Sequence, residues 1–392
     1  MDCTSIANAN VKNKTVLVRV DFNEPLDDKG RLVSDYRIRA AIPTISYLRK
    51  KNCRILLLTH LGRPKNREKR FRTAKLAARL SELIKTRVFH TTDCIGAHTL
   101  LEVQKLGPKD ILMLENVRFY PEEKANDKLF AKQLSQLAQA YVNEAFSNCH
   151  RKHASMVGVP QFLPGLAGLR LIEELDVLGS LLNRPKRPFV ALLGGAKVYS
   201  KIDVLKALLK SADKVLIGGA MLFTFVKAQG GSVGKSPVED DKIDLARRLL
   251  QSYPGKIILA PDVVAAKDKN SRAVIVSSSA IPSTHAGFDV GPQTVELFSK
   301  SVKSSKTLFW NGPLGWYEVS KFSKATNQIS RVIAKSKTFS VIGGGDSATA
   351  VHRLRLAKNI DFMSTGGGAA LTLVAGLELP AVTALRRSKK IK

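Results

Sequence analysis

The stretch Phe339-Ser340-Val341-Ile342-Gly343-Gly344-Gly345-Asp346-Ser347-Ala348 decides the architecture of this chain. Its short apolar run reads as a buried strand, and the glycine run marks the turn out of it into a helix. The pattern recurs. Gly194-Gly195-Ala196-Lys197 follows Phe189–Leu193, and Gly218-Gly219-Ala220 follows Val215–Ile217. Asn311-Gly312-Pro313 follows Thr307–Trp310, and Gly366-Gly367-Gly368 follows Asp361–Met363. One such loop is usually just a tight turn. Several on one edge of one sheet predict a nucleotide-phosphate site, because ligands of open α/β sheets sit beyond the carboxyl ends of the strands. A helix opening directly after such a loop offers free N–H groups and its dipole to phosphate.

Further apolar runs in the second half are Ile257–Ala260 and Ala273–Val276, expected in the same set of strands. The first half carries Thr15–Val20, Arg54–Thr59, Arg87–His90, Ile111–Leu114 and Ala140–Val142. Between these runs lie amphipathic stretches such as Ile38–Lys50, Asp127–Ala138, Ile202–Lys210 and Lys242–Gln251. Strand–helix alternation with apolar strands predicts parallel sheets covered on both faces. The expected class is α/β, with two doubly wound, Rossmann-like parallel-sheet domains separated by a cleft and joined by a long helix. Pro160-Gln161-Phe162-Leu163-Pro164-Gly165 closes the first unit, and Leu169–Leu182 reads as the connecting helix. The expected divisions are 1–168, 169–183 and 184–378, and the ends of the connecting helix are natural hinges.

The chain has 392 residues, too many for one ordinary core. Its four cysteines, Cys3, Cys53, Cys94 and Cys149, are dispersed and read as reduced thiols, without disulfide or zinc. No apolar run approaches the roughly 18 residues of a membrane span, and the N-terminus reads as no signal peptide. A cytoplasmic location is therefore expected. The net charge of +30, from 63 Lys and Arg against 33 Asp and Glu, is unusual for such a protein. It fits either nucleic-acid binding or a basic surface with a few arginines serving small anions. The basic residues are spread along the chain with few interleaved aromatics, which favours the second and argues against specific nucleic-acid recognition.

Strand ends in the first half are polar rather than glycine-rich. Asp21-Phe22-Asn23 follows Val20, and His60-Leu61-Gly62-Arg63 follows Thr59. Glu115-Asn116-Val117-Arg118 follows Leu114, and His150-Arg151-Lys152-His153 lies beyond Val142. Arg37 stands just before a helix. Arginine matches carboxylate and phosphate oxygens in bidentate geometry, so these residues predict a cradle for a small polyanion. The three histidines could be acid–base groups, but anion contacts or structural hydrogen bonds are the plainer reading. A nucleotide half and a polyanion half together suggest phosphoryl transfer, which depends on positioning and on cations. Lys197, Lys201 and Arg37 are the candidate cations. Asp346 is the candidate carboxylate for Mg²⁺.

Two motifs are weaker. Gly230-Gly231-Ser232-Val233-Gly234-Lys235-Ser236 looks like the end of a P-loop, but Gln229 stands where the first glycine is needed and no strand precedes it. Gly343–Ala348 fits GxGxxA, which keeps a nicotinamide-dependent dehydrogenase open as an alternative.

The motifs jointly resemble the phosphoglycerate kinase family. Val18-Arg19-Val20-Asp21-Phe22-Asn23-Glu24-Pro25 is similar to its N-terminal signature. Thr59-His60-Leu61-Gly62-Arg63-Pro64, Leu114-Glu115-Asn116-Val117-Arg118-Phe119 and Tyr141-Val142-Asn143-Glu144-Ala145-Phe146 continue it. Leu193-Gly194-Gly195-Ala196-Lys197-Val198, Trp310-Asn311-Gly312-Pro313, the Gly343–Thr349 block and Ser364-Thr365-Gly366-Gly367-Gly368 extend it in family order. The resemblance implies reversible, Mg²⁺-dependent transfer between 1,3-bisphosphoglycerate and ADP, giving 3-phosphoglycerate and ATP, in a glycolytic, hinge-bending monomer. It assigns Asp21, Phe22, Asn23, Arg37, His60, Leu61, Gly62, Arg63, Arg118 and Arg151 to the phosphoglycerate. It assigns Gly195, Ala196, Lys201, Asn311, Pro313, Glu318, Gly344, Gly345, Asp346 and Ser347 to the nucleotide. Arg37, Lys197 and Lys201, with the helix start at Gly367 and Gly368, would hold the moving group. The segment 379–392 would pack back on the first lobe. Departures from the family pattern are Glu24 for an apolar residue, Glu144 for Asp, Ser147-Asn148 for Gly-Thr, Ala220 for Gly, Ser347 for Thr, and Ala370 and Thr372 for Ser and Glu.

Overall fold

The computed structural model describes residues 3–195, 201–389 and 391. The chain divides into two compact units. One runs through Asp176 and resumes at Glu378; the other is Val177–Leu377.

The first unit is built on strands β1 (Thr15–Val20), β2 (Arg54–Leu58), β3 (Phe89–His90), β4 (Ile111–Met113), β5 (Ala140–Glu144) and β6 (Gly165–Ala167). Its helices are α1 (Tyr36–Lys50), α2 (Ala74–Ile84), α3 (Ala97–Gln104), α4 (Pro121–Ala125), α5 (Lys128–Ser135) and α6 (Leu169–Asn183), and the division between units falls inside α6. The six strands form one sheet of order β3-β4-β2-β1-β5-β6, parallel throughout. β1 is buried along its whole length, including Arg19. Val16, Val18 and Val20 of β1 pack with Ile38, Ile45 and Leu48 of α1 in one core.

β6 was not expected, since Pro160–Gly165 reads as a loop. Three residues bracketed by Pro164 and Gly168 carry too little pattern to announce a strand. Tertiary contacts make it one. Ala167 N donates to Thr4 O at 2.9 Å, and Gly165 N donates to Ser388 Oγ at 3.0 Å. Ser388 ends the C-terminal helix Pro380–Arg387, which belongs to this unit and is tied down by Ala381 N to Cys149 O at 3.1 Å. Both chain ends thus cover an edge strand that would otherwise present unpaired backbone.

The second unit contains β7 (Phe189–Leu193), β8 (Lys214–Ile217), β9 (Ser232–Val233), β10 (Ile257–Leu259), β11 (Asp262–Ala266), β12 (Val274–Ser277), β13 (Ala280–Ile281), β14 (Ala286–Val290), β15 (Thr307–Asn311), β16 (Phe339–Gly343) and β17 (Phe362–Met363). Its helices are α7 (Ile202–Ser211), α8 (Met221–Ala228), α9 (Ile243–Ser252), α10 (Pro292–Ser304), α11 (Lys324–Lys335), α12 (Gly345–Arg353) and α13 (Gly368–Val374). A second six-stranded parallel sheet has order β10-β8-β7-β15-β16-β17.

The run at Ala273–Val276 does not join that sheet. It becomes β12, antiparallel to β11, which in turn pairs antiparallel with β14. The reason is connection length. Only a short turn separates Ala266 from Val274, whereas a parallel crossover needs a dozen residues or more. No helix among the described residues is long and apolar enough to cross a membrane.

Candidate functional site

Each parallel sheet reverses its strand order once, between β1 and β5 in the first and between β7 and β15 in the second. Reversal leaves a crevice at the carboxyl ends of the flanking strands. The residues singled out from sequence cluster around these two points.

In the first unit Asp21, Asn23 and the His60–Arg63 loop lie beyond β1 and β2, with Arg118 beyond β4 and Arg151 beyond β5. Asn23 Oδ1 accepts from Gly62 N at 2.7 Å, and Arg118 Nη1 donates to Gly62 O at 2.8 Å. Arg37, in the first turn of α1, forms an ion pair with Asp21. Phe22 and Leu61 are different: their side chains belong to the core, and they shape the loops from below. Phe22 N donates to Thr59 Oγ1, while Asn116 clamps both backbone groups of Leu61. Arg63 is exposed.

The electrostatics of this cradle are lopsided. Burial, then the cations of Arg19, Arg118, Arg37 and Arg151, push the His60 imidazole well below its ordinary range. His60 is therefore neutral. Its Nδ1 lies 3.1 Å from Arg19 Nη2, and a guanidinium can only donate, so Nδ1 accepts and Nε2 carries the hydrogen. Burial, then Arg118, Arg151 and Arg19, take His153 down to about 4. Burial, then Arg19 and Arg151, lower Arg118 to about 10. Nε of Arg118 and Arg151 and Nδ1 of His150 and His153 are buried without a hydrogen-bond partner. Buried donors without acceptors are destabilising unless a ligand satisfies them.

Two participants were missed from sequence. Arg19 is fully buried and bonds Ser155 Oγ at 2.8 Å and Val20 O at 2.6 Å. Its signal was present: a charge inside an apolar strand is rarely accidental. Glu123, also fully buried, accepts from Ser155 N and Oγ at 2.8 and 2.6 Å. It sits in the five-residue α4, where no periodicity marks it.

In the second unit Lys201 caps α7 and turns its ammonium under the switch point, onto Gly194 O and, at 3.2 Å, Asn311 O. Burial lowers it to about 8, while Asp346 acts in the opposite sense. Asn311 Nδ2 donates to Gly343 O at 2.9 Å, which ties the ends of β15 and β16 together. Gly344 precedes α12 with φ +98°, and Gly345, Asp346 and Ser347 form the first turn. Gly367 and Gly368 open α13. Ala196 and Lys197 lie outside the described residues.

Above these loops is a cavity of about 730 Å³. Of the residues assigned to the nucleotide, Gly195, Pro313, Glu318 and Asp346 line it; Lys201, Asn311, Gly344, Gly345 and Ser347 do not. Gly219, of a glycine loop expected there, lines it too, while the opposite wall, missed from sequence, comes from Phe288, Leu314 and Trp316. Phe288 belongs to β14 of the unexpected antiparallel sheet, and it stacks on Trp316 with ring centroids 5.9 Å apart. The Gly230–Ser236 segment follows α8 and carries the two-residue β9, which pairs with β13 outside the parallel sheet; its Lys235 lines the cavity.

No group of three or more metal-ligating side chains occurs among the described residues. Mg²⁺ does not require one, since it takes one or two carboxylates together with phosphate oxygens. Asp346 and Glu318 both line the cavity. Burial, then these two carboxylates, push the Tyr317 phenol up, which places both about one ring. The donor set suits Mg²⁺ carried by a nucleotide.

A glycine-edged cavity on one parallel sheet and an arginine cradle on another define the class of α/β phosphotransferases. The comparisons make this specific. The sequence matches the family model for phosphoglycerate kinase over residues 6–377. It is 45% identical to the phosphoglycerate kinase of Chlorobium phaeobacteroides over 98% of this chain and 100% of that one. It is 43% identical to that of Aquifex aeolicus over 97% and 98%. The phosphoglycerate kinase structure from Coxiella burnetii superposes with a TM-score of 0.87 at 34% identity, covering 99% of this chain and 100% of that one. The chain belongs to the phosphoglycerate kinase family. Neither the nucleic-acid nor the nicotinamide alternative finds support in these comparisons.

Proposed function

We propose that the protein transfers a phosphoryl group reversibly between 1,3-bisphosphoglycerate and ADP, giving 3-phosphoglycerate and ATP. The reading rests on the family assignment and on one observation above others: the gathering of Arg19, Arg37, Arg118 and Arg151 about a neutral His60. Arg37, Arg63, Arg118 and Arg151, with Asp21, Asn23 and the donor Nε2 of His60, bind and orient the phosphoglycerate. Gly195, Ala196, Pro313, Glu318 and the Gly344–Ser347 turn hold the nucleotide. Asp346 would hold Mg²⁺, which supplies charge neutralisation on the nucleotide phosphates. Arg37, Lys197 and Lys201, with the N–H groups at Gly367 and Gly368, stabilise the three equatorial oxygens as one P–O bond breaks and the other forms in line.

Closure of the two units about the ends of α6 completes the reading, with 1–168 and 379–392 as the phosphoglycerate domain and 184–378 as the nucleotide domain. The protein works as a cytoplasmic monomer in glycolysis and gluconeogenesis, on small molecules and without a specific nucleic-acid partner. A coupled assay tests this. Purified protein with Mg-ATP and 3-phosphoglycerate should release ADP, and folded protein without turnover would overturn the reading.

A further inference from the structure

Glu24 and Ser147 stand at two distant points of the chain, yet both converge on Arg37. The N-terminus of α1 explains the first. The first N–H groups of a helix have no acceptor within it. Asp35, at the cap position, makes no side-chain cap bond. Its carboxylate is taken by Arg39 at 2.8 Å and Arg79 at 2.7 Å. Glu24 serves instead: its Oε1 accepts from Arg37 N at 2.6 Å and Ile38 N at 3.3 Å. Glu24 is buried, 4% exposed, and its own N–H donates to Phe22 O at 2.8 Å. The loop after β1 is thereby fastened to the backbone of Arg37 itself.

The other end of Arg37 is held too. Its guanidinium pairs with Asp21 Oδ2. The same oxygen accepts from Ser147 Oγ at 2.5 Å, and Asn148 Nδ2 donates to that hydroxyl at 3.0 Å. Without the Ser147 hydroxyl, Asp21 would keep only the bond from Asn23 N at 3.4 Å and its pair with Arg37. Glu24 thus fixes where Arg37 starts, and Ser147 where its charged head points.

We propose that Glu24 and Ser147 are positioning residues that aim Arg37 at the substrate anion, acting from its backbone end and its guanidinium end respectively. This rests on the reading that Arg37 binds the phosphoglycerate. Preorganising a flexible arginine removes part of the ordering cost of binding, so the effect should appear in affinity for that one substrate. A merely structural role would lower stability and touch both substrates alike.

The test is calorimetric titration of the full chain with 3-phosphoglycerate and, separately, ADP, with folding checked by circular dichroism. Glu24→Ala should weaken 3-phosphoglycerate binding about fivefold and leave ADP within about twofold, the size of a typical coupling between contacting residues. Glu24→Gln should recover most of the affinity, because its amide oxygen still accepts from the two N–H groups. Ser147→Ala should weaken the same substrate about two- to threefold. In an Arg37→Ala background Glu24→Ala should have no further effect, and Ser147→Ala only what Asp21 itself contributes. Equal 3-phosphoglycerate affinity in wild type, Glu24→Ala and Ser147→Ala, with Arg37→Ala impaired, overturns the positioning role. Undiminished binding by Arg37→Ala overturns the underlying reading of Arg37. If Glu24→Ala does not fold, Ser147→Ala in the two backgrounds decides.

Discussion

Gly312 N donates to the buried hydroxyl of Ser347 at 2.7 Å, joining the loop after β15 to the first turn of α12. Removing the hydroxyl would leave a buried N–H without an acceptor, which costs about 1–3 kcal/mol. Ser347→Ala should therefore lower unfolding free energy by that amount in a denaturant titration and raise KM for the nucleotide. Ser347→Thr keeps the hydroxyl and should stay close to wild type in both.

Gly219 takes φ +63°, and an added Cβ there would stand 2.5 Å from Gly195 N and 3.0 Å from Pro313 O. Those are backbone atoms of the cavity wall and cannot swing aside. Gly219→Ala is expected to destabilise by about 1–3 kcal/mol. ADP affinity should fall while 3-phosphoglycerate affinity is retained, as two separate titrations would show.

Lys201 sits at about 8 because burial disfavours its charged form. The charge is needed for phosphate, so kcat/KM for ADP should fall as pH rises through about 8, the profile that reports the free enzyme. Stability runs the other way. The unfolded lysine keeps its proton up to its ordinary range, so between pH 8 and that range the unfolded state binds more protons and stability rises with pH. Lys201→Met should flatten both trends, and an unchanged activity profile in that variant would exclude the assigned role.

Glu144 is the buried acceptor for Thr44 Oγ1 at 2.6 Å and for Arg170 N at 3.1 Å, at the start of α6. Burial raises it to about 7 against the lowering effect of those bonds. Its folded pKa lies above the unfolded carboxylate value, so the folded state holds the extra proton between about 4.5 and 7. Stability from this group is full below that window and declines as pH rises through it. Glu144→Gln should remove the decline, which urea midpoints at pH 5, 6 and 7 would measure.

Arg118 is one of the cations depressing His153. Arg118→Ala should raise the His153 pKa by on the order of half a unit or more, read by NMR titration. The same variant should raise KM for 3-phosphoglycerate and leave the nucleotide KM unchanged. An unchanged His153 titration would mean that burial and the remaining cations, Arg151, Arg19 and Lys124, account for its depression.

Much of this was legible along the chain because its causes are local. An apolar run bounded by glycine makes a buried parallel strand wherever it stands, so β7, β15 and β16 and the loops after them could be placed within a residue or so. The same holds for the polar loops after β1, β2 and β4. Three-residue β6 and the short hairpin β11–β12 carried too little pattern or were assigned to the wrong sheet. The second of these was recoverable from the length of its connection.

By itself the sequence determined the alternation of strands and helices, the glycine edge and the supply of arginines, since each depends on neighbours only a few residues away. Tertiary structure alone decided that Ser147 meets Asp21, that Phe288 walls the cavity and that His60 is neutral. Burial and electrostatic field are sums over atoms brought together from remote parts of the chain, and no local window contains them.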